Sequence, residues 1–295
     1  MDTPKVTAII TTHNRKSLVG RAIESVLNQS YENIECIVVD DASSDGTEEV
    51  CRKYPIKYIY ISQAESKGGN YARNVGIKEA QGKYVAFLDD DDYWLKEKIS
   101  RQVTLIEEKK CELVYSGACP EIVKEGGIEV RFDKYSPDFY KQGDMSRKIL
   151  YGICCLNITI LANRQALLDV GLFDENVRFW QEYELTIRLA QRMPFYFIPE
   201  ALAVFRVDIN DKGRLTNKYF EWIKSVNYIY DKHVSLYKKL NFIGRQRVRL
   251  AFVSDGMNRA RASKLMDEYY KYKLQLNTLF IPVRIYARIA RFLGI

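Results

Sequence analysis

Four short apolar runs set the frame of this chain: KVTAIIT at 5–11, IECIVV at 34–39, KYIYI at 57–61 and KYVAFL at 83–88. Segments with helical spacing separate them. Residues 16–29 carry Leu18, Ala22, Ile23, Val26 and Leu27 at that spacing, and residues 47–54, 70–80 and 95–110 also read as helices. This strand–helix repetition predicts a mostly parallel sheet covered by helices on both faces. A short strand follows at 113–116. Beyond it come an EGG turn at 125–127 between two short strands, a strand at 158–161, helices at 163–170 and 181–191, and strands at 195–198 and 203–207. After residue 211 the pattern is helical to the end. The expected division is an α/β domain over 1–210 and an all-α extension over 211–295.

The charge follows that division. Residues 211–295 hold 18 Lys and Arg against 6 Asp and Glu, a net +12 in a chain of net +7, so residues 1–210 carry −5. An acidic body with a basic tail suggests two tasks. At 47% hydrophobic the chain can bury a sizeable core, yet no apolar run approaches a membrane span. Residues 1–5 carry no signal-peptide pattern. The six cysteines lack C-x-x-C spacing and there are only two histidines, which disfavours a thiolate or imidazole metal site and fits reduced thiols in the cytosol.

In open α/β sheets ligands bind beyond the carboxyl ends of the strands. Here those ends read Thr11-Thr12-His13-Asn14-Arg15, Asp40-Asp41, and Asp89 to Asp92. Four adjacent like charges repel one another and are costly to desolvate. Side chains alternate along an extended strand, so Asp89 and Asp91 are expected to share a face. Paired carboxylates hold Mg²⁺ or Mn²⁺, and a bound divalent ion offsets the repulsion. An aspartate at a helix N-terminus is also an ordinary cap, but capping explains one or two of the four. Common nucleotide motifs do not fit. There is no G-x-G-x-x-G, and GIKEAQGK at 76–83 has one residue too many for a P-loop and lacks the following Ser or Thr.

Taken in order, IITTHNR, IVVDDASSDGT, NYARNVGIKEAQG and FLDDDD resemble the motifs of family 2 glycosyltransferases with the GT-A fold. The resemblance covers about residues 4–210. It implies an inverting enzyme that takes a nucleotide-diphosphate sugar, commonly a UDP-sugar. It places Thr11 and His13 at the nucleobase, with His13 where the family more often has Tyr. Asp40 and Asp41 are placed to accept a hydrogen bond from the base, and Arg73 to face the nucleotide. Residues 89–91 match D-x-D, with Asp89 or Asp90 toward the ribose and sugar and Asp91 on a divalent metal. The family's base sits in a Glu-Asp pair that opens a later helix. Here that stretch is Trp180-Gln181-Glu182-Tyr183-Glu184, which makes Glu182 the candidate base and Glu184 the reserve. Arg15 and Lys16 are candidate phosphate contacts and Lys67 a residue closing over the donor. Trp180 is a candidate sugar platform, and Asn157 with Cys154-Cys155 a border of the acceptor cavity. Each of these also has an ordinary structural explanation.

The tail has its own pattern. At helical spacing over 279–293, Arg284, Arg288 and Arg291 share one face, and Ile285, Tyr286, Ile289 and Leu293 the other. Such a helix suits a membrane interface with anionic lipid, or packs its apolar face on the body. No nucleic-acid module is visible. The expected activity is transfer of a sugar to a glycan hydroxyl, lipid-linked and on the cytoplasmic side, in surface polysaccharide synthesis. The competing expectations are a polyprenyl-phosphate sugar transferase and a non-catalytic sugar-nucleotide binding module.

Overall fold

The computed structural model describes residues 3–125, 127–130, 141–208, 210 and 218–279, together with 282, 285 and 289. The alternating N-terminal runs fold as read. Strands β1 (Val6–Thr12), β2 (Ile34–Asp41), β3 (Lys57–Ile61) and β4 (Tyr84–Asp89) lie parallel in the order β3-β2-β1-β4. Helices α1 (Val19–Leu27), α2 (Thr47–Cys51) and α3 (Gly69–Glu79) make the crossovers.

The period-two pattern sorts the strand residues onto two faces. Val6, Ala8 and Ile10 of β1 pack with Val19, Ala22, Ile23 and Val26 of α1, and with Ile99 and Val103 of α4 (Lys98–Lys109). Ile9, Ile37 and Phe87 point the other way, toward Ala72 and Ile77 of α3. Gly76 allows that approach, since a Cβ there would stand 2.6 Å from Ile9 Cγ2.

Past β4 the sheet changes direction. Strand β5 (Tyr93–Trp94) precedes α4, and β6 (Leu113–Lys124) turns back as β7 (Gly127–Val130). Strand β8 (Ile160–Asn163) runs antiparallel between β4 and β6. After α5 (Arg164–Asp169) and α6 (Gln181–Ala190), strand β9 (Phe195–Asp208) pairs parallel with β6 and antiparallel with β5. Two expectations change here. The strand at 113–116 extends to Lys124, and the two runs at 195–198 and 203–207 are one strand. Pro199 and Glu200 are absorbed in a register shift opposite Gly117, where a side chain would stand 2.9 Å from the Glu200 carbonyl oxygen. Each long strand supplies the partner that the other's sequence does not advertise.

The C-terminal helices are α7 (Tyr219–Lys232), α8 (Val234–Lys238), α9 (Phe242–Ala262) and α10 (Met266–Leu274). Trp222, Ile229, Tyr237 and Val248 join the same core cluster as Ile9, Phe87 and Ile77, so these helices complete one face of the sheet. Among the described residues no helix is long and apolar enough to cross a membrane. Most of the basic helix expected at 279–293 lies outside the described residues; Ile285 and Ile289 within it are exposed.

Candidate active site

Pairing of Thr11 with Asp89 and of Thr12 with Asp40 aligns the carboxyl ends of β1, β2 and β4. The sheet thus brings together Thr11, His13, Arg15, Asp40, Asp41 and Asp89 to Asp92.

On the β1–β2 side, the His13 ring fixes its own tautomer. Nδ1 lies 2.5 Å from the Asp41 carbonyl oxygen, which can only accept, so Nδ1 carries the proton. Nε2 is then free to accept from Asn14 Nδ2 at 3.0 Å. Asp40 is fully buried, and its two oxygens accept from Ser43 N (2.8 Å) and Tyr58 Oη (2.7 Å). Asp41 differs. Its Oδ2 accepts from Gly68 N at 2.9 Å, while its buried Oδ1 has no partner. Gly68 reaches that position with φ +92°, a conformation few other residues adopt. Asp41 is therefore the one of the pair with acceptor capacity to spare. Lys67, one residue before, lies 4.8 Å from the Tyr71 ring centre.

The aspartate run does not continue as a strand. The chain turns after Asp89, with Asp92 N donating to the Asp89 carbonyl oxygen at 3.2 Å. Alternation along a strand therefore does not set the relation of Asp89 to Asp91. Each carboxylate has its own surroundings. Asp89 accepts from Arg73 Nη2 at 2.6 Å. Asp90 accepts from His13 N at 3.3 Å and lies 3.9 Å from the exposed Arg15. Burial and the charges of Asp91 and Asp89 push the Asp90 carboxyl up to about 7. Burial and Asp89 likewise raise Asp91, whose carboxylate forms no ion pair among the described residues. Asp92 faces away to brace β9: its Oδ1 accepts from Arg206 N at 2.7 Å. Of the three carboxylates only Asp89 has an arginine in close contact; Arg15 is 3.9 Å from Asp90 and exposed, and Arg21 and Arg206, which also reach the turn, are paired with Glu121. No ready-made group of three metal-ligating side chains is present among the described residues.

Helix α6 carries the two candidate bases in its first turn, and they are not equivalent. Glu182 is half-buried, with no side-chain partner among the described residues. Burial raises its carboxyl to about 6, with Arg73 opposing and Asp89 adding to the shift. That shared electrostatic reach links α6 to the aspartate turn. Glu184 is enclosed and fully paired, with Arg188 Nη2 at 2.5 Å, Lys232 Nζ at 2.8 Å and His233 Nε2 at 3.0 Å. Burial alone would raise it, but the hydrogen bonds from His233 and Arg188 and the Arg188 charge carry it down to about 2. A carboxyl near 6 is mostly ionised at neutral pH yet basic enough to take a proton, whereas one held at about 2 is a poor proton acceptor. Trp180 also departs from expectation. Its ring stacks on Phe252 (5.4 Å between centroids) and meets Trp222 edge-on, so it anchors the C-terminal helices rather than offering a face to a sugar. Arg15 stays exposed, and Lys16 pairs with Glu49 at 3.4 Å. The Cys154 and Cys155 sulfurs are 3.6 Å apart and buried.

A family model described as glycosyl transferase family 2 matches residues 7–173. The chain belongs to that family. Among the similar proteins is a Campylobacter jejuni enzyme named GalNAc(5)-diNAcBac-PP-undecaprenol β-1,3-glucosyltransferase, 31% identical over 217 residues that make up 72% of this chain and 68% of that one. Escherichia coli WfaP, named UDP-Glc:α-D-GlcNAc-diphosphoundecaprenol β-1,3-glucosyltransferase, is 42% identical over 112 residues, 38% of this chain and 45% of that one. Among solved structures, the mannosyltransferase PcManGT from Pyrobaculum calidifontis, in complex with GDP-Man and Mn²⁺, aligns with a TM-score of 0.61 at 18% identity. It covers all of this chain and 86% of that one, and shares its fold. This glycosyltransferase therefore has the GT-A architecture that its motifs suggest. The partners of its second acidic cluster, Lys232 and His233, and the Tyr58 hydroxyl on Asp40 had no signal in the sequence, because each meets its carboxylate only after folding.

Proposed function

We propose that this chain is an inverting glycosyltransferase that moves a sugar from a UDP-sugar to a hydroxyl of a lipid-linked glycan acceptor. The observation that carries the reading is Glu182: a half-buried carboxylate without a side-chain partner, raised to about 6, within electrostatic reach of Arg73 and Asp89. Glu182 takes the proton of the acceptor hydroxyl as its oxygen bonds to the anomeric carbon. The bond to the diphosphate breaks from the opposite face, and the diphosphate leaves with the electron pair. Arg73 stands beside Asp89 to receive part of that charge. Asp41 Oδ1 is the acceptor that matches an imide N–H of uracil, with Thr11 and His13 beside it at the end of β1; Asp40 supports from behind. The oxygen-only, under-neutralised set of Asp89, Asp90 and Asp91 fits a divalent cation such as Mn²⁺ or Mg²⁺. When bound, such an ion stabilises the leaving diphosphate as a Lewis acid.

The donor class rests on the UDP-Glc in the name of WfaP, and the acceptor class on the undecaprenol-linked substrates named for both relatives. A basic C-terminal segment suits the cytoplasmic membrane face where such acceptors lie. Calorimetry with UDP, GDP, CDP and dTDP, with and without Mn²⁺, tests the donor site. Metal-dependent binding of UDP, lost in Asp91→Ala, is expected. No binding of any diphosphate would end this reading.

A further inference from the structure

Three buried asparagines surround the site, and two are fully occupied. Asn70 Nδ2 donates to the carbonyls of Asp174 and Val177, both at 2.8 Å, and its Oδ1 accepts from Arg73. Asn74 Nδ2 donates to Phe173 O, and its Oδ1 accepts from Phe173 N. Both pin the 173–177 loop onto α3. Asn157 is as buried, at 7% exposure, yet its Oδ1 has no hydrogen-bond partner and its amide meets none among the described residues. Buried polar groups are ordinarily satisfied, so an idle carboxamide calls for an explanation.

Its position supplies one. Asn157 opens the 3₁₀ turn Asn157–Thr159, which packs against β4 and leads into β8. Ala86 pairs with Leu161, and β8 runs antiparallel to β4. The residues before β8 therefore lie beside the end of β4 that carries the aspartates. Two residues earlier, the Cys155 thiol is within reach of the Glu182 charge. Asn157 is thus on the segment that runs from the neighbourhood of Glu182 to the aspartate end of β4.

The turn is braced from behind. Trp94 Nε1 donates to Ile158 O at 3.0 Å and Gln102 Nε2 to Thr159 O at 2.7 Å. The fully buried Lys98 donates to Gln102 Oε1 at 2.8 Å and lies over the Trp94 ring. Thr159 Oγ1 closes the turn on the Leu156 backbone. The backbone of the turn is held without Asn157, whose carboxamide has no structural task to perform.

We propose that the Asn157 carboxamide hydrogen-bonds hydroxyls of the transferred sugar and helps select which sugar is accepted. A carboxamide offers one acceptor and two donors on one plane, a match for a sugar diol. This deepens the donor-site reading above and rests on it. The test titrates UDP, UDP-glucose, UDP-galactose and UDP-N-acetylglucosamine with Mn²⁺ into wild type, Asn157→Ala and Asn157→Leu, and records each melting temperature. The variants are expected to bind UDP as wild type does, and to lose up to about tenfold in the preferred UDP-sugar's affinity, the scale of one good hydrogen bond. Their melting temperatures should hold or rise, because an unsatisfied buried group has been removed. Wild-type binding of a UDP-sugar with unchanged variant affinity overturns this inference alone. A parallel loss of UDP and UDP-sugar also overturns it, since Asn157 would then be a folding residue. Failure of wild type to bind any of the four ends the donor-site reading, and this inference with it.

Discussion

The protein holds two acidic clusters, one at the end of β4 and one at the start of α6, and folding treats them in opposite ways. At the end of β4, Asp89, Asp90 and Asp91 crowd together with Arg73 and a distant Arg15, and the Asp90 and Asp91 carboxyls are pushed upward. At the start of α6, Glu184 is surrounded by Arg188, Lys232 and His233 and is pushed down to about 2. The difference separates charge stored for a ligand from charge spent on the fold. An under-neutralised cluster is costly until something positive arrives. A neutralised one ties α6 to the loop at 170–172, through Arg188 Nη2 to Leu172 O at 2.7 Å, and to the end of α7. Glu182 stands between the two, on the second element but in the first cluster's field.

The sharpest way to break this comparison is within α6 itself. Glu182→Gln is expected to lower the transfer rate by about 10²–10⁴, the usual worth of a positioned base, while leaving stability equal or improved. Initial rates alongside thermal melts measure both, and an active Glu182→Gln would end its assignment as base. Glu184→Ala should do the reverse. It strips the shared partner from Arg188, Lys232 and His233, although Lys232 keeps Asp174, and urea unfolding should show a loss of about 3 kcal/mol. A stable Glu184→Ala would mean that the ionic cluster is not a structural clamp.

Acid separates the two residues by sign. The Glu184 carboxyl is depressed from 4.5 to about 2, so its contribution is present above 4.5 and lost as pH falls toward 2. It is worth about 3 kcal/mol at neutral pH from that shift, and Glu184→Gln should flatten the acid limb of the stability curve. Glu182 is raised, so it favours the fold only while protonated, and its stability term declines as pH rises through about 6. The activity it supports rises over the same interval, and a rate profile that ignores pH 5–7 would contradict its role. The smallest effect is expected at Arg15. Its long, exposed contact with Asp90 is worth under about 1 kcal/mol, so Arg15→Gln should melt like wild type.

Much of the fold was legible because the N-terminal half carries local signals. The strands β1 to β4 and the helices between them follow from side-chain period alone, and the polar strand ends follow from topology. The order of the motifs then pointed to Asp41, Arg73 and Asp91 as candidates before any partner was visible. What stayed hidden was non-local. The two-residue strand β5 is too short for any periodicity, and β9 looks broken at Pro199 until β6 lies beside it. Trp180 reads as a candidate sugar platform in the sequence. It is core only because Phe252 and Trp222 arrive from helices far along the chain.

The sequence by itself determined that carboxylates would gather at the strand ends, because a strand must stop somewhere and its alternation fixes where. Only the tertiary structure decided which carboxylates keep their charge free. That depends on partners such as Lys232 and His233, whose distance from Glu184 is set by packing and not by spacing along the chain. Asp41 and Asp40, adjacent and chemically identical, make the same point. One is saturated by Tyr58 and Ser43 and the other keeps an idle oxygen, because neighbouring side chains on a strand face opposite sides of the sheet.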